Sequence, residues 1–419
     1  MAPAFPETDQ CSEFSYDSDE DVPSDSFSLT ALEEAVSKCI SRKCNLIKLA
    51  EGGYHKVYNI CSDDEPVNIV ARVAAPAFPK DKVESEIATI QYLATHTNIP
   101  TPRVFGWNSN DGNPVGLEYM ILEKISGVPA SDVWDTLPLE RKQVTVSEVA
   151  DYIIQLFRLR FEAGGSLYNG PDVKEFVGPI VATPFYRALD GVVRFAQPVD
   201  RDLRPYRGPF ENASAYLRSF LDAELHLIGD QREYILEHEL DGDEGRLEQA
   251  IRVLKKAVQL SVVYPGDVCV SEPLTSPGQP FSLRMDDFRL SNVMIDAATG
   301  HVTGLIDFEG ATVAPLWDCA YMPRWLQDPD EWDATYEGGP AEDRKILRDL
   351  FLEKVEEHDQ TGEWIRALVR GRPFREFTDR LSFNVDVWVD QEEWMDQRME
   401  WAKTHPGVGY PSMLSVGRR

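Results

Sequence analysis

Leu283-Arg-Met-Asp-Asp-Phe-Arg-Leu-Ser-Asn292, continuing through Val293-Met-Ile-Asp296 to Gly304-Leu-Ile-Asp-Phe-Glu-Gly310, is the stretch that decides how this chain is read. It supplies a loop with a carboxylate at Asp287 and an amide at Asn292. Two short apolar runs, Val293–Ile295 and Val302–Ile306, flank the turn Ala297-Ala298-Thr299-Gly300 and predict a hairpin. The hairpin returns the chain to a second carboxylate, Asp307. Phosphoryl transfer needs one carboxylate to orient and deprotonate a hydroxyl, and hard oxygen ligands to hold Mg²⁺ on nucleotide phosphates. Asp, then Asn five residues on, then Asp at a strand end is the kinase-type order of those groups. A bare Asp-x4-Asn recurs by chance in an acidic chain. Joined to the hairpin and to Ile306-Asp-Phe-Glu309 it gains weight, against the competing reading of a polar loop around a structural hairpin.

Working upstream, Leu49-Ala-Glu-Gly-Gly-Tyr-His-Lys-Val-Tyr-Asn-Ile60 places Gly52 and Gly53 between two strand-like segments. Glycines there let backbone approach phosphates closely, although a Gly-Gly pair alone is also an ordinary turn. The pair precedes Ile69-Val-Ala-Arg-Val73 and a helix over about 82–95 that carries Glu84 and Glu86. A strand cation held by a helix carboxylate is how kinase folds grip the α- and β-phosphates, which nominates Arg72 with Glu86. Two solvated charges is the other reading.

The remaining pattern predicts an α+β chain. Residues 1–27 hold eight acidic side chains and no Lys or Arg, and read as a disordered acidic tail. Ser28-Leu-Thr30 with Leu32, Ala35, Val36 and Ile40 predicts a capped helix. Strands are expected at Ile47–Leu49, Val57–Ile60, Ile69–Val73, Arg103–Trp107 and Leu117–Glu123. After Gly127 the text turns helical, with Val146, Val149, Ile153, Leu156 and Phe157 at buried-helix spacing. The resulting units are an N-lobe over 28–124, a C-lobe over 125–405 and a C-terminal tail over 406–419.

Composition narrows the function classes. The 419 residues carry 71 Asp plus Glu against 42 Lys plus Arg, a formal charge of −29 that disfavours nucleic-acid and anionic-membrane surfaces as partners. Six scattered Cys without a CxxC pair and seven dispersed His argue against a disulfide framework or a zinc site. Met1-Ala2-Pro3 runs into acidic residues rather than a basic and apolar leader, and no apolar run reaches the roughly 18–20 residues that span a bilayer. A cytoplasmic protein is the expectation.

With these residues in view, the chain resembles the aminoglycoside phosphotransferase/choline kinase-like family, in its fungal small-molecule branch. The resemblance runs from about Leu49 to Leu326. It includes Val83–Leu93, Ile99-Pro-Thr-Pro-Arg-Val-Phe-Gly-Trp107, the hinge-like Tyr119-Met-Ile-Leu-Glu-Lys-Ile-Ser-Gly127, and two large-lobe stretches, Phe161–Tyr168 and Arg207-Gly-Pro-Phe210. It implies a protein-kinase-like two-lobed fold, with a small β-rich N-lobe and a large α-helical C-lobe. It further implies ATP or GTP with Mg²⁺ as cofactors, Asp287 as catalytic base, and Asn292 and Asp307 as metal ligands. Glu123 to Ile125 would meet the base of the nucleotide, Leu122 would back that pocket, and Gly52, Gly53, Arg72 and Glu86 would serve the phosphates. Glu309 would support the metal shell or stand as a surface carboxylate. Asp318 would brace the large lobe.

Two departures accompany the resemblance. Met285 stands where most members carry His, so loop positioning must come from packing, since Met cannot hydrogen-bond as imidazole does. Arg72 replaces the usual Lys, with a planar fork on a different stem. The implied activity is phosphorylation of a small-molecule hydroxyl, on an amine-bearing compound or a secondary metabolite. The rival is a non-catalytic nucleotide- or metabolite-binding pseudokinase. A protein kinase lacks support, because neither a full GxGxxG nor an Ala-Pro-Glu segment is present. Trp388, Trp394 and Trp401 could form a cage for a quaternary ammonium, though helix-packing core is the plainer reading.

Overall fold

The computed structural model describes residues 11–12, 27–52, 55–62, 67–74, 80–170, 175–182, 203–263, 278–327, 339–381, 385–406 and 408–411. The first elements correct the expected tail. Strand β1 (Cys11–Ser12) pairs antiparallel with β2 (Phe27–Ser28), and Phe27 is buried against Tyr58, so the N-lobe core begins one residue before its expected edge. The rest of 1–26 lies outside the described residues. Helix α1 (Leu29–Ile40) starts at Ser28, whose hydroxyl accepts from Ala31 N at 3.2 Å, as a capping serine should. It buries Leu32 and Val36 completely, worth about 1.5–3 kcal/mol each.

Beneath α1 lies an antiparallel sheet in the order β3-β4-β5-β7-β6: β3 (Asn45–Glu51), β4 (His55–Cys61), β5 (Ile69–Ala74), β6 (Val104–Asn108) and β7 (Tyr119–Glu123). Alternation divides its two faces. Tyr58, Ile60, Ala71, Val73 and Ile121 point to α1 and form a small core with it. Val57 lies opposite Arg72 and Val70 opposite Leu122, so these residues share the other face, toward the C-lobe. Helix α2 (Asp81–His96) packs on that side through Val83, Ile87 and Ile90, which join the core of the large lobe.

The C-lobe is mainly helical. A short β8 (Val128–Pro129) and α3 (Ala130–Val133) lead to α4 (Leu139–Arg158), which begins about two turns before the apolar spacing does. Pro138 at its cap and Glu140 in its first turn account for that polar start. Strands β9 (Ser166–Tyr168) and β10 (Phe176–Gly178) precede α5 (Ala213–Asp230), α6 (Arg232–His238) and α7 (Glu244–Val263). Then come β11 (Phe281–Arg284), the hairpin β12 (Val293–Ile295) and β13 (Val302–Leu305), and β14 (Thr312–Pro315), which pairs with β11. Helices α8 (Leu316–Cys319), α9 (Ala341–His358), α10 (Glu363–Thr378), α11 (Val385–Val389) and α12 (Glu392–Thr404) complete it. Trp317, Trp325, Trp364 and Trp388 are buried in its core. Within the expected C-terminal tail, Val408 O accepts from Trp401 Nε1 at 2.9 Å, and the Tyr410 ring lies 4.2 Å from the Arg398 guanidinium. No described helix is long and apolar enough to cross a membrane. This is an α+β, protein-kinase-like fold of two lobes.

Candidate active site

Strand β11 carries the chain from the C-lobe core to the cleft, where Asp287 stands with its side chain 37% exposed. Its carboxylate pairs with the Arg289 guanidinium, and Asn292 Nδ2 donates to the Asp287 carbonyl at 2.8 Å. Ile306 N in turn donates to Asn292 O at 3.0 Å. The loop of the candidate base, the candidate amide ligand and the turn of Asp307 are thereby one hydrogen-bonded unit. Asp307 itself has φ +63°, a left-handed conformation that costs a non-glycine residue roughly 1–2 kcal/mol and that Asp tolerates better than most. Gly310, at φ +71°, closes the turn against Asp286, where an added Cβ would meet Oδ2 at 3.2 Å.

Across the cleft, Arg72 on β5 and Glu86 on α2 form the ion pair expected between them, and both side chains are buried. The same guanidinium reaches further. Its Nη2 lies 2.6 Å from Asp307 Oδ1, 2.9 Å from His55 Nδ1 and 3.5 Å from Glu309 Oε2. Glu309 also meets His55 Nδ1 at 2.9 Å and Lys82 Nζ at 3.6 Å. The surface-carboxylate reading of Glu309 is therefore corrected: its side chain is 10% exposed and bridges the lobes. Burial, then the nearby Arg72 charge, hold the His55 imidazole down to about 4, so it is neutral at pH 7. A neutral Nδ1 donates to Glu309 or accepts from Arg72, one at a time. Burial alone would push Glu309 up, but Lys82, His55 and Arg72 bring it below the usual carboxylate range. Burial also works against the Arg72 charge, and Asp307, Glu86 and Glu309 outweigh it.

The nominated nucleotide residues lie around this cluster. Gly52 N donates to His55 O at 2.9 Å, closing the β3–β4 turn, and a Cβ at Gly52 would meet nothing within 4 Å. Gly53 lies outside the described residues. Leu122 is buried on the cleft face. The N–H groups of Glu123 and Lys124 are engaged by Arg103 O (2.8 Å) and Asn68 O (3.0 Å), so Ile125 N–H is the one of the three without a hydrogen bond among the described residues. The Ile125 side chain packs at Gly304, where a Cβ would meet it at 2.9 Å. Leu49 (47% exposed) and half-buried Val57 and Val70 form an apolar ceiling that the sequence reading did not single out, although strand alternation from Arg72 points to both valines.

For a metal, Asn292 and Asp307 are an oxygen donor set once Asn292 Nδ2 is engaged, which suits a hard cation such as Mg²⁺. His55, Glu86 and Glu309 also bring ligand atoms within 4.8 Å of one another. Arg72 and Lys82 stand among them, and that positive charge disfavours a cation there.

A model of the phosphotransferase enzyme family matches residues 47–350. The chain belongs to this family. The phosphotransferase is 27% identical over 360 residues to a "subtelomeric hrmA-associated cluster protein" of Aspergillus fumigatus, covering 74% of this chain and 68% of that protein. It is 24% identical over 301 residues to "altered inheritance of mitochondria protein 9, mitochondrial" of Candida dubliniensis, covering 65% of this chain and 48% of that one. Among solved structures, ethanolamine kinase of Plasmodium vivax aligns with a TM-score of 0.45 at 12% identity, over 86% of this chain and 82% of that one. Aminoglycoside-3'-phosphotransferase of type VIII aligns at 0.43 and 18% identity, over 80% and 93%. The cytoplasmic expectation is overturned by the relatives named as mitochondrial.

In this phosphotransferase the Met285 side chain is buried, and Tyr321 Oη donates to its carbonyl at 3.2 Å. The loop at Met285 is thus held by packing and a backbone bond. Asp318 is buried and accepts from Arg284 Nη1 (3.2 Å) and Tyr216 Oη (3.3 Å), bracing the lobe as read from its sequence context. Phe161–Tyr168 and Arg207–Phe210 come together: Gly164 pairs with Phe210, and Gly165 with Val313 beside β11. The tryptophans form no cage. Trp388 is core, and the Trp394 ring has the Arg380 and Arg398 guanidiniums at 4.3 and 3.9 Å.

Proposed function

We propose that this phosphotransferase uses a nucleoside triphosphate, ATP or GTP, with Mg²⁺ to phosphorylate a hydroxyl of a small molecule. The observation that carries the reading is the hydrogen-bonded unit of Asp287, Asn292 and the Asp307 turn facing the Arg72–Glu86 pair. Asp287 would accept the hydroxyl proton as the oxygen attacks. Arg72 would grip the phosphates, held in place by Glu86. Asn292 and Asp307 would hold Mg²⁺, which when bound neutralises phosphate charge. The Leu49, Val57 and Val70 ceiling and Ile125 N–H would take the base. Rate enhancement would come mainly from positioning and charge neutralisation.

Met285 and Arg72 motivate the pseudokinase alternative; the buried Met285, bonded through its carbonyl to Tyr321, and the Arg72–Glu86 pair support the catalytic reading instead. An amine-bearing acceptor or a secondary-metabolite hydroxyl remains the proposed class, and the net charge of −29 favours the former. The mitochondrial names of several relatives support a mitochondrial location, which import into isolated mitochondria tests. For the activity, the test is thermal stability with and without MgATP and MgGTP, followed by phosphate transfer to a panel of amino-alcohols and alcohols. A metal-dependent rise in Tm supports the site, since a ligand bound only by the folded state stabilises it by mass action. No rise at millimolar nucleotide overturns it.

A further inference from the structure

The metal reading of Asp307 leaves a difficulty: its carboxylate already faces the buried Arg72 guanidinium at 2.6 Å. A divalent cation must compete with that contact. We propose that Glu309 is the positioning residue that takes the Arg72 guanidinium over from Asp307, freeing the Asp307 carboxylate for the cation. This inference rests on the function proposed above.

The geometry is suited to an exchange. Glu309 Oε2 lies 3.5 Å from Arg72 Nη2, the same nitrogen that reaches Asp307. Arg72 Nη1 meanwhile stays on Glu86, so the guanidinium can turn about that contact without leaving it. Glu309 is fixed by His55 at 2.9 Å and Lys82 at 3.6 Å, both from the N-lobe, so the receiving carboxylate does not have to be ordered at the moment of exchange. Three carboxylates, Glu86, Asp307 and Glu309, face two permanent cations, Arg72 and Lys82. One carboxylate can therefore change partner without stranding a cation, and stranding one in a buried site would be costly. Asp307, with its side chain 35% exposed, is the carboxylate that solvent and ions reach, while Glu86 and Glu309 are not.

The test is a double-mutant cycle read by Mn²⁺ binding in the presence of ADP, using electron paramagnetic resonance on the full chain. Glu309→Gln should weaken Mn²⁺ about tenfold, equivalent to about 1.4 kcal/mol. In an Arg72→Met background the same substitution should change affinity less than about twofold, because the competitor is gone. Glu309→Asp, which withdraws the carboxylate from Arg72, should show the first effect in smaller measure and covers the case in which the glutamine variant does not fold. An equal loss from Glu309→Gln in both backgrounds would mean that Glu309 binds the cation itself, and would overturn the proposal. So would no loss in either. Asp307→Ala tells the two readings apart: unchanged Mn²⁺ binding there sinks the metal site as a whole, whatever Glu309 does.

Discussion

Two ionic clusters stand out in the structure, and they are built to opposite ends. The Arg72 cluster joins β4, β5 and α2 of one lobe to the 307–309 turn of the other, and its carboxylates outnumber its permanent cations. The Arg284–Asp318–Tyr216 cluster lies wholly in the C-lobe, one guanidinium and one phenol on one carboxylate. A group with a choice of partners can rearrange; one whose every bond has a single acceptor can only hold. The difference separates the cluster proposed to take part in the chemistry from the one that holds the large lobe in place.

Substitutions should respect that line. Asp287→Asn, in the cleft, should lower turnover by on the order of 10²–10⁴ while leaving nucleotide-induced stabilisation intact, as steady-state assays and melts on one sample will show. On the bracing side, Asp318→Ala removes the partner of Arg284 and should destabilise by about 3–5 kcal/mol in urea unfolding. A loss under 1 kcal/mol would erase the contrast. Asp307→Ala reverses the pattern: its pair is partly exposed, so stability should fall by less than about 1 kcal/mol while the Mg²⁺-dependent part of the nucleotide shift disappears.

A remaining effect is one of pH. Burial pushes the Glu118 carboxyl up to about 7, and the N–H of Lys80 donates to it. Between the unfolded value of 4.5 and 7 the folded chain binds the extra proton, so this group's stability contribution is full below 4.5 and is lost as pH rises through 7. Glu118→Gln keeps the acceptor and removes the titration. Its Tm should therefore exceed that of the native chain by more at pH 8 than at pH 5, with a gain of roughly 2 kcal/mol at the higher pH. An equal difference at both values would show that the carboxyl does not titrate in that window.

The stretch of the candidate site was legible because its pattern is local: Asp287 and Asn292 precede, and Asp307 follows, one short hairpin turning at Gly300, where spacing sets geometry. The helix carrying Glu86 was legible from its apolar period, and its partner Arg72 from strand context. Glu309 was not. Its burial depends on His55, Arg72 and Lys82, more than 220 positions away, and no local pattern in Phe308-Glu309-Gly310 distinguishes a bridged carboxylate from a solvated one. Phe27 was lost for a related reason: an acidic neighbourhood set the reading of a residue whose place is decided by Tyr58.

Helix α2 has a further consequence through its ties to the large lobe. Asp81 at its start meets Arg207 at 2.9 Å, Gln91 near its end accepts from Asn169 at 2.9 Å, and Tyr92 packs on Phe161. The helix that presents Glu86 is thus riveted at both ends to the body opposite its own sheet. Heat should then melt the protein in one step instead of shedding the small lobe first. Opening of the cleft is left to the sheet, which can flex over a stationary helix much as a visor moves on a fixed helmet.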